Sequence, residues 1–219
     1  MKKSSILIFI FISLNCFSKS TINEFEGVIH YTKFMSELNN STAAQKHKAF
    51  LKDNLGEKSI FYYKNGKHLW DRINTGGKEL YYKNSKYLYV KKNSEYKIWN
   101  TSNVSKLNEE IKSIKILNEI DTILGYPCKI LEVKATFFPL TKGRKWLRRF
   151  YFTESNFHIN YKYLKKYKIN SQNKIYKLIQ ALPLRIYVEI NGVKLDYVAT
   201  KVERKKLDDS LFKKQPTRK

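Results

Sequence analysis

An Asn191-Gly192 pair between two alternating runs is the feature that most constrains how this chain can fold. In the first run, residues 185–190, apolar and polar side chains alternate as in a strand with one buried face. The second run, residues 193–203, is rich in residues that favour strands. Because a type I′ turn needs positive φ at both central positions, Asn-Gly predicts an antiparallel hairpin. An isolated hairpin is marginal in water, so the rest of the chain is expected to supply a sheet.

Further turn signals divide the chain into short strands. A second Asn-Gly pair lies at residues 65–66, and the spacing of about ten residues per strand that follows is typical of an antiparallel meander. We therefore predict a mainly β fold with a few helices (α+β), in which a twisted antiparallel sheet surrounds an apolar interior. Besides the two arms of the hairpin, the predicted strands are residues 25–34, 60–63, 67–73, 79–82, 87–91, 96–100, 129–135 and 145–153.

Three segments with helical signals interrupt the strands. Residues 41–54 contain good helix formers, with hydroxyl residues at the start and a glycine just beyond the end. Residues 104–114 carry apolar side chains at helical spacing, which predicts a short amphipathic helix or a loop. Residues 172–182 show the same spacing behind a predicted Ser171 cap, and Pro183 is expected to end that helix.

Residues 1–20 have the pattern of a secretory signal. Lysines precede an apolar run that is too short to span a bilayer, and small residues follow before a possible cleavage site. We predict export to the periplasm or cell envelope, with secretion as an alternative, and a single domain over residues 21–219. Lipid attachment to Cys16 is less favoured, because Asn15 stands where lipoprotein signals have a small residue. No other apolar stretch is long enough to cross a membrane.

The chain is strongly basic, with 43 Lys and Arg against 19 Asp and Glu and a net charge of +24. Such a charge favours anionic partners, and in an exported protein these are anionic lipid or acidic polysaccharide rather than nucleic acid. The alternative is a lysine-rich surface that only maintains solubility, since the lysines are scattered. After signal removal Cys128 is the only cysteine, so no intramolecular disulfide is expected and a buried apolar role is favoured.

Catalytic and metal-binding patterns are weak in this sequence. His30, His47, His68 and His158 lack metal-ligand spacing, and nucleophile-elbow, phosphate-loop and dinucleotide signatures are missing. The adjacent carboxylates at 109–110 are expected to be exposed and cannot face each other on a strand or helix, and the same holds for 208–209. We therefore expect a protein that is not an enzyme and has no metal or cofactor.

Three tryptophans are the candidate ligand-binding residues. Trp70, Trp99 and Trp146 each lie in a predicted strand, where an inward ring lines a cavity and an outward ring stacks on sugar or faces a partner. Ordinary core packing is the alternative role. Arg148 and Arg149 must point to opposite faces of their strand, so at most one of them can lie at a cavity mouth.

Several short motifs together resemble a group of exported bacterial domains of unknown function. They are Leu-Gly-Tyr-Pro-Cys at 124–128 before a strand, Phe-Tyr-Phe-Thr-Glu at 150–154, Leu-Pro-Leu at 182–184 and Leu-Asp-Asp-Ser-Leu-Phe at 207–212. These domains are similar to the LolA-like superfamily of the periplasmic lipoprotein carrier. Some relatives carry Gly-Leu-Pro-Gly-Leu-Ile, where this chain has Ala-Leu-Pro-Leu-Arg at 181–185. The resemblance implies a half-open antiparallel barrel closed by helices over an apolar cavity.

Two functional hypotheses follow. The first is a non-enzymatic exported protein that binds or carries an apolar ligand, such as a lipid, an acyl chain or a lipidated peptide, and it requires a contiguous cavity. The second is an envelope-associated interaction protein that holds anionic lipid or polysaccharide on a basic, tyrosine-rich surface. It requires a solidly packed interior and binding that weakens with salt.

Overall fold

A computed structural model describes residues 23–75, 77–92, 95–101, 108–138 and 144–213. The predicted signal at residues 1–20, including Cys16, lies outside these ranges. The strands are β1 Gly27–Glu37, β2 Lys58–Lys64, β3 Lys67–Arg72, β4 Gly77–Tyr81, β5 Tyr87–Lys92, β6 Glu95–Asn100, β7 Asn108–Ile123, β8 Tyr126–Phe138, β9 Arg144–Phe152, β10 Arg185–Ile190 and β11 Val193–Arg204. The helices are α1 Thr42–Leu55 and α2 Gln172–Ile179.

All eleven strands form one antiparallel sheet, in the order β6-β5-β4-β3-β2-β1-β11-β10-β9-β8-β7. The first and last strands of the chain pair at its centre, and a meander runs outward on each side. This open sheet confirms the predicted mainly β class. The hairpin of β10 and β11 lies next to β1, so it joins the two meanders.

Chain connectivity forces this sheet to curl. Strands β6 and β7 form opposite edges, yet only seven residue steps separate Thr101 from Asn108. Seven steps reach at most about 25 Å, whereas eleven strands laid flat would span roughly 48 Å. The two edges must therefore approach each other, and the sheet becomes a half-open barrel with a concave inner face and a convex outer face.

The two Asn-Gly turns adopt the positive φ angles on which their prediction rested. Asn191 and Gly192 have φ of 53° and 78°, and Asn65 and Gly66 have φ of 48° and 75°. Positive φ at both positions matches the right-handed twist of the flanking strands, which a turn of opposite hand would splay apart. These two hairpins are confirmed.

The helix predictions have mixed outcomes. Helix α1 is confirmed, since the Ser41 hydroxyl accepts a bond from the Ala44 N–H at 3.2 Å and closes its first turn. Helix α2 begins as predicted but ends at Ile179, because Gln180 adopts a left-handed conformation before the chain reaches Pro183. The predicted Ser171 cap is wrong, since Ser171 is itself left-handed and its side chain makes no capping bond.

The helix or loop predicted over residues 104–114 is wrong for the part that the structure describes. Residues 108–114 belong to β7, and residues 102–107 lie outside the described ranges. A bulge between Ile111 and Ser113 places Ile111 opposite Ala135 and Ile114 opposite Val133, on one face of the sheet. An extra residue in a strand thus produces the three-residue apolar spacing of a helix.

Both faces of the sheet bury apolar side chains. The concave face holds the main core, which includes Ile29, Tyr63 and Tyr81 and is covered by α2 and the segment before it. On the convex face, Leu207 and Phe212 of the C-terminal segment cover a smaller cluster. The tyrosines of the first meander therefore divide between the faces, with Tyr62, Tyr82 and Tyr89 half-buried around this outer cluster.

Candidate functional site

A lumen of about 570 Å³ lies within the concave face. Its wall comes from both meanders, from α1 and from the segment at residues 167–176. Most of the described wall is aromatic or aliphatic. These residues are Leu51, Leu55, Phe61, Trp70, Leu88, Val90, Trp99, Trp146, Phe150, Tyr167, Ile169, Tyr176, Ile186, Val188, Ile190, Leu195 and Tyr197.

Strand register explains why these side chains face one space. Trp146, Arg148 and Phe150 alternate along β9 and lie opposite Ile190, Val188 and Ile186 of β10, respectively. Because directly paired residues share a face of a sheet, the inward row continues from strand to strand around the barrel. Alternate residues of neighbouring strands thus form one continuous lumen wall.

The structure brings all three candidate tryptophans to this lumen. Trp70 packs within the wall, with its ring 5.4 Å from the Tyr31 ring and stacked on it. Trp99 is 44% exposed, on edge strand β6. The ring of Trp146 lies 4.3 Å from the guanidinium carbon of Arg148. Their role in ligand binding remains a prediction.

Arg148 and Arg149 point to opposite faces, as expected from alternation. Arg149 lies on the convex face, where it contacts the Glu132 carboxylate at 2.9 Å. Arg148 is buried in the lumen wall, donates to the Asn170 carbonyl at 2.8 Å and forms an ion pair with Glu109. The expectation that Glu109 would be exposed is wrong, since its side chain is 2% exposed.

In the Arg148 and Glu109 pair, each partner favours the charged form of the other, whereas burial disfavours both charged forms. Burial raises the pKa of Glu109, against the opposing effect of Arg148, and lowers the pKa of Arg148, against the opposing effect of Glu109. One carboxylate oxygen of Glu109 and the Nε of Arg148 are buried without a hydrogen-bond partner among the described residues. The pair is therefore charge-balanced, but its hydrogen bonds are incomplete.

A second polar group lies at the end of the lumen that α1 covers. Arg72 and Glu79 form an ion pair in the wall. Lys33 lies opposite Tyr197 in the sheet and donates to the Leu55 carbonyl at the end of α1. Burial and then Arg72 lower the pKa of Lys33 to about 8, partly opposed by Glu79.

His68 belongs to an aromatic cluster rather than to a reactive site. Its ring lies 5.2 Å from Tyr81 and 5.3 Å from both Phe61 and Tyr167. Burial lowers the pKa of His68 to about 3, so the ring is neutral at physiological pH. Cys128 is fully buried, as predicted, and burial raises the pKa of its thiol to about 11, which makes the thiolate scarce.

Within the described ranges, no three His, Cys, Asp or Glu side chains group as a metal site. The described helices include none that is long and apolar enough to cross a membrane. The chemistry that the lumen offers is burial of an apolar or aromatic group beside a few fixed charges.

Sequence reasoning missed the charged residues of the lumen. Lys33, Arg72 and Glu109 had no motif to mark them. Alternation along the strands could have marked two of them, since residues two apart in a strand lie on the same face. Lys33 lies two residues after Tyr31, and Arg72 lies two residues after Trp70. Glu109 gave no such signal, since its segment was interpreted as a helix or loop.

No protein-family model matches this sequence, and no curated protein is significantly similar to it. A solved structure with some likeness is that of the Mycobacterium tuberculosis lipoprotein LppX, which is 8% identical. The match covers 84% of this chain and 89% of LppX, with a TM-score of 0.32. A likeness at this level carries no argument about function, so the functional case rests on the lumen itself.

Proposed function

We propose that this protein is a non-enzymatic carrier that holds an acyl chain or another lipid group in its lumen. The observation that carries the proposal is the lumen of about 570 Å³ with a mainly aromatic and aliphatic wall. Pockets for drug-sized ligands are typically about 300–1,000 Å³, so the volume suits one such group. Trp70, Trp99 and Trp146 are proposed as contacts because they lie on three different strands around the same space.

Burial of hydrocarbon supplies the affinity in this proposal. Each methylene removed from water contributes about 0.8 kcal/mol, and part of the total is offset by lost freedom of the ligand. Strands β6 and β7 are the two edges of the sheet and do not pair with each other, so in this proposal a chain enters without threading through a closed barrel. The barrel geometry is thus compatible with loading and release.

Export is part of the same proposal. It rests on the signal pattern of residues 1–20, and the site of action would be the periplasm or cell envelope. The alternative hypothesis, an interaction protein acting through its basic surface, required a solidly packed interior. The lumen therefore favours the carrier hypothesis.

Native mass spectrometry of protein purified from its exported compartment tests the carrier function. We expect extra mass that denaturation releases as a lipid. Displacement of the neutral fluorophore N-phenyl-1-naphthylamine by lipids is the matching solution measurement. Absence of released lipid together with no uptake of the fluorophore would refute the proposal.

A matched pair of variants locates the binding in the lumen. Val90 and Tyr89 are adjacent on β5, and Val90 lines the lumen whereas Tyr89 packs on the convex face. Val90→Trp fills lumen volume and should abolish fluorophore uptake. Tyr89→Trp should leave uptake unchanged, and loss of uptake in both variants would place the binding elsewhere.

A further inference from the structure

The charges in the lumen wall and directly behind it do not balance among the described residues, because the buried Lys33 behind the wall adds a cation at one end. Arg148 is matched by Glu109, so that pair is neutral. At the end covered by α1, Arg72 pairs with Glu79, and Lys33 lies near enough to interact electrostatically with both. Among the described residues of the lumen wall, Glu79 is the only carboxylate. Among the described residues, one positive charge, that of Lys33, therefore remains without a carboxylate of its own in this part of the barrel.

Lys33 is a buried cation with few compensating contacts. It is 4% exposed, and its ammonium group donates to the Leu55 carbonyl and lies 5.5 Å from the Tyr197 ring centroid. A helix-end carbonyl and an aromatic face each stabilise a cation, but neither neutralises it. Buried charges in proteins are normally paired. The surplus is therefore unusual for a purely structural lysine.

Arg72 is the cation of this end that a ligand can reach. Its side chain and that of Glu79 both line the lumen, and they are 21% and 24% exposed, respectively. Glu79 lies opposite Trp70 in the sheet, so the charged end is continuous with the aromatic wall. A guanidinium in such a place suits carboxylate or phosphate oxygens, which it binds in a fork geometry.

We propose that the lumen ligand carries an anionic head group, a carboxylate or a phosphate, that Arg72 binds beneath the end of α1 while Lys33 supplies the matching charge. This inference rests on the proposed carrier function and adds the class of ligand. The apolar tail then runs from Trp70 along the aromatic wall. The Arg148 and Glu109 pair is neutral overall, so it does not require an anionic group on the ligand.

Matched amphiphiles test this proposal. Hexadecanoic acid, hexadecyl phosphate and hexadecanol differ in the head group, and each is titrated against bound N-phenyl-1-naphthylamine. We expect the two anions to bind about tenfold more tightly than the alcohol, the size of a charge-assisted hydrogen bond in a low-dielectric site. The acid and the phosphate distinguish the two sources of anionic head group.

Variants then assign the preference to this end of the lumen. Arg72→Gln should reduce the affinity for the anions about tenfold and leave that for hexadecanol within about twofold. Glu79→Gln should increase the affinity for the anions, because it removes the carboxylate that competes for Arg72. The matched control is Lys78→Gln, since Lys78 is adjacent to Glu79 on the other face and pairs with Asp71 at 2.8 Å.

The outcomes separate the two proposals. Equal binding of acid, phosphate and alcohol by the native protein overturns the head-group inference and leaves the carrier function standing. An equal loss for all three in Arg72→Gln overturns it as well, because that residue then acts on the fold. Failure of every amphiphile to bind overturns the carrier function, and the inference falls with it.

Discussion

The guanidinium of Arg148 on β9 donates to the carboxylate of Glu109 on β7, across the intervening strand β8. The side chains of β8 on that face are short, with Val133 opposite Arg148 and Ala135 opposite Trp146, so they leave room for the contact. It links the edge of the sheet to its interior. Because both side chains are buried, the two charges depend on each other far more than those of a surface pair do.

We predict that breaking this pair is costly and that replacing both partners is not. Arg148→Met or Glu109→Leu leaves one buried charge and should lower the free energy of unfolding by about 3–5 kcal/mol. The double variant should be more stable than either single variant, because no charge is left unpaired. Urea unfolding measures all three.

Arg149→Met is the control for that series. Arg149 is the next residue in the chain, but it lies on the convex face with a side chain 36% exposed. Its partner Glu132 is buried but keeps Lys134 at 3.5 Å, so the loss of Arg149 should cost less than the loss of Arg148. Additive losses in the double variant would show that the two charges do not stabilise each other.

A second prediction separates binding from stability at the open edge. Trp99 is partly exposed on β6, so Trp99→Ala should change the free energy of unfolding by under about 1 kcal/mol. It should nevertheless weaken fluorophore binding about fivefold, the value of one aromatic contact. Tyr87→Ala is the matched control, because Tyr87 is equally exposed on the adjacent strand but faces away from the lumen. Equal effects of the two changes would exclude a specific role for Trp99.

A third prediction concerns the start of β1. Gly27 has φ of 152°, and a Cβ there would lie 2.1 Å from the Glu203 carbonyl oxygen of the paired strand. Gly27→Ala should therefore separate β1 from β11 and cost about 3 kcal/mol or more. Gly125→Ala, at φ of 80° with open space around it, should cost only about 1–2 kcal/mol. Thermal unfolding ranks the two, and the reverse order would contradict the central pairing of β1 with β11.

A fourth prediction is a pH dependence that His68 causes. Its pKa is about 3 in the folded protein and about 6.5 when unfolded, so between these values the unfolded chain binds the extra proton. Stability should therefore fall as the pH drops from about 6.5 to 3, by up to about 1.4 kcal/mol per pH unit from this group. Carboxylates titrate in the lower part of this range, so the difference between the native protein and His68→Phe is the quantity to measure. A difference that does not change with pH would show that His68 is not held neutral by its surroundings.

The two Asn-Gly hairpins were predictable because their signals are local. Asn65-Gly66 and Asn191-Gly192 specify positive φ within two residues, whatever surrounds them. Helix α1 was predictable for the same reason, since the Ser41 cap lies beside the N–H that it accepts from. The three tryptophans were correctly placed in strands, and alternation alone could not show that they meet around one lumen.

Strand β7 and the charged residues were missed because their states depend on distant neighbours. The bulge after Ile111 is set by pairing with β8, and it gives β7 a helical spacing of apolar residues. Glu109 is buried only because Arg148, 39 residues away, requires a counter-charge. Residues without a local motif reveal such roles only when the chain is folded.

The sequence by itself determined the two Asn-Gly turns, most of the extended segments and that a basic mainly β protein results, because turn conformation and alternation act over a few residues. Only the tertiary structure decided that the sheet curls, that β1 and β11 meet at its centre and that a lumen with Arg72, Glu79 and Arg148 in its apolar wall remains. The physical reason is that burial and charge pairing are set by contacts between strands far apart in the chain.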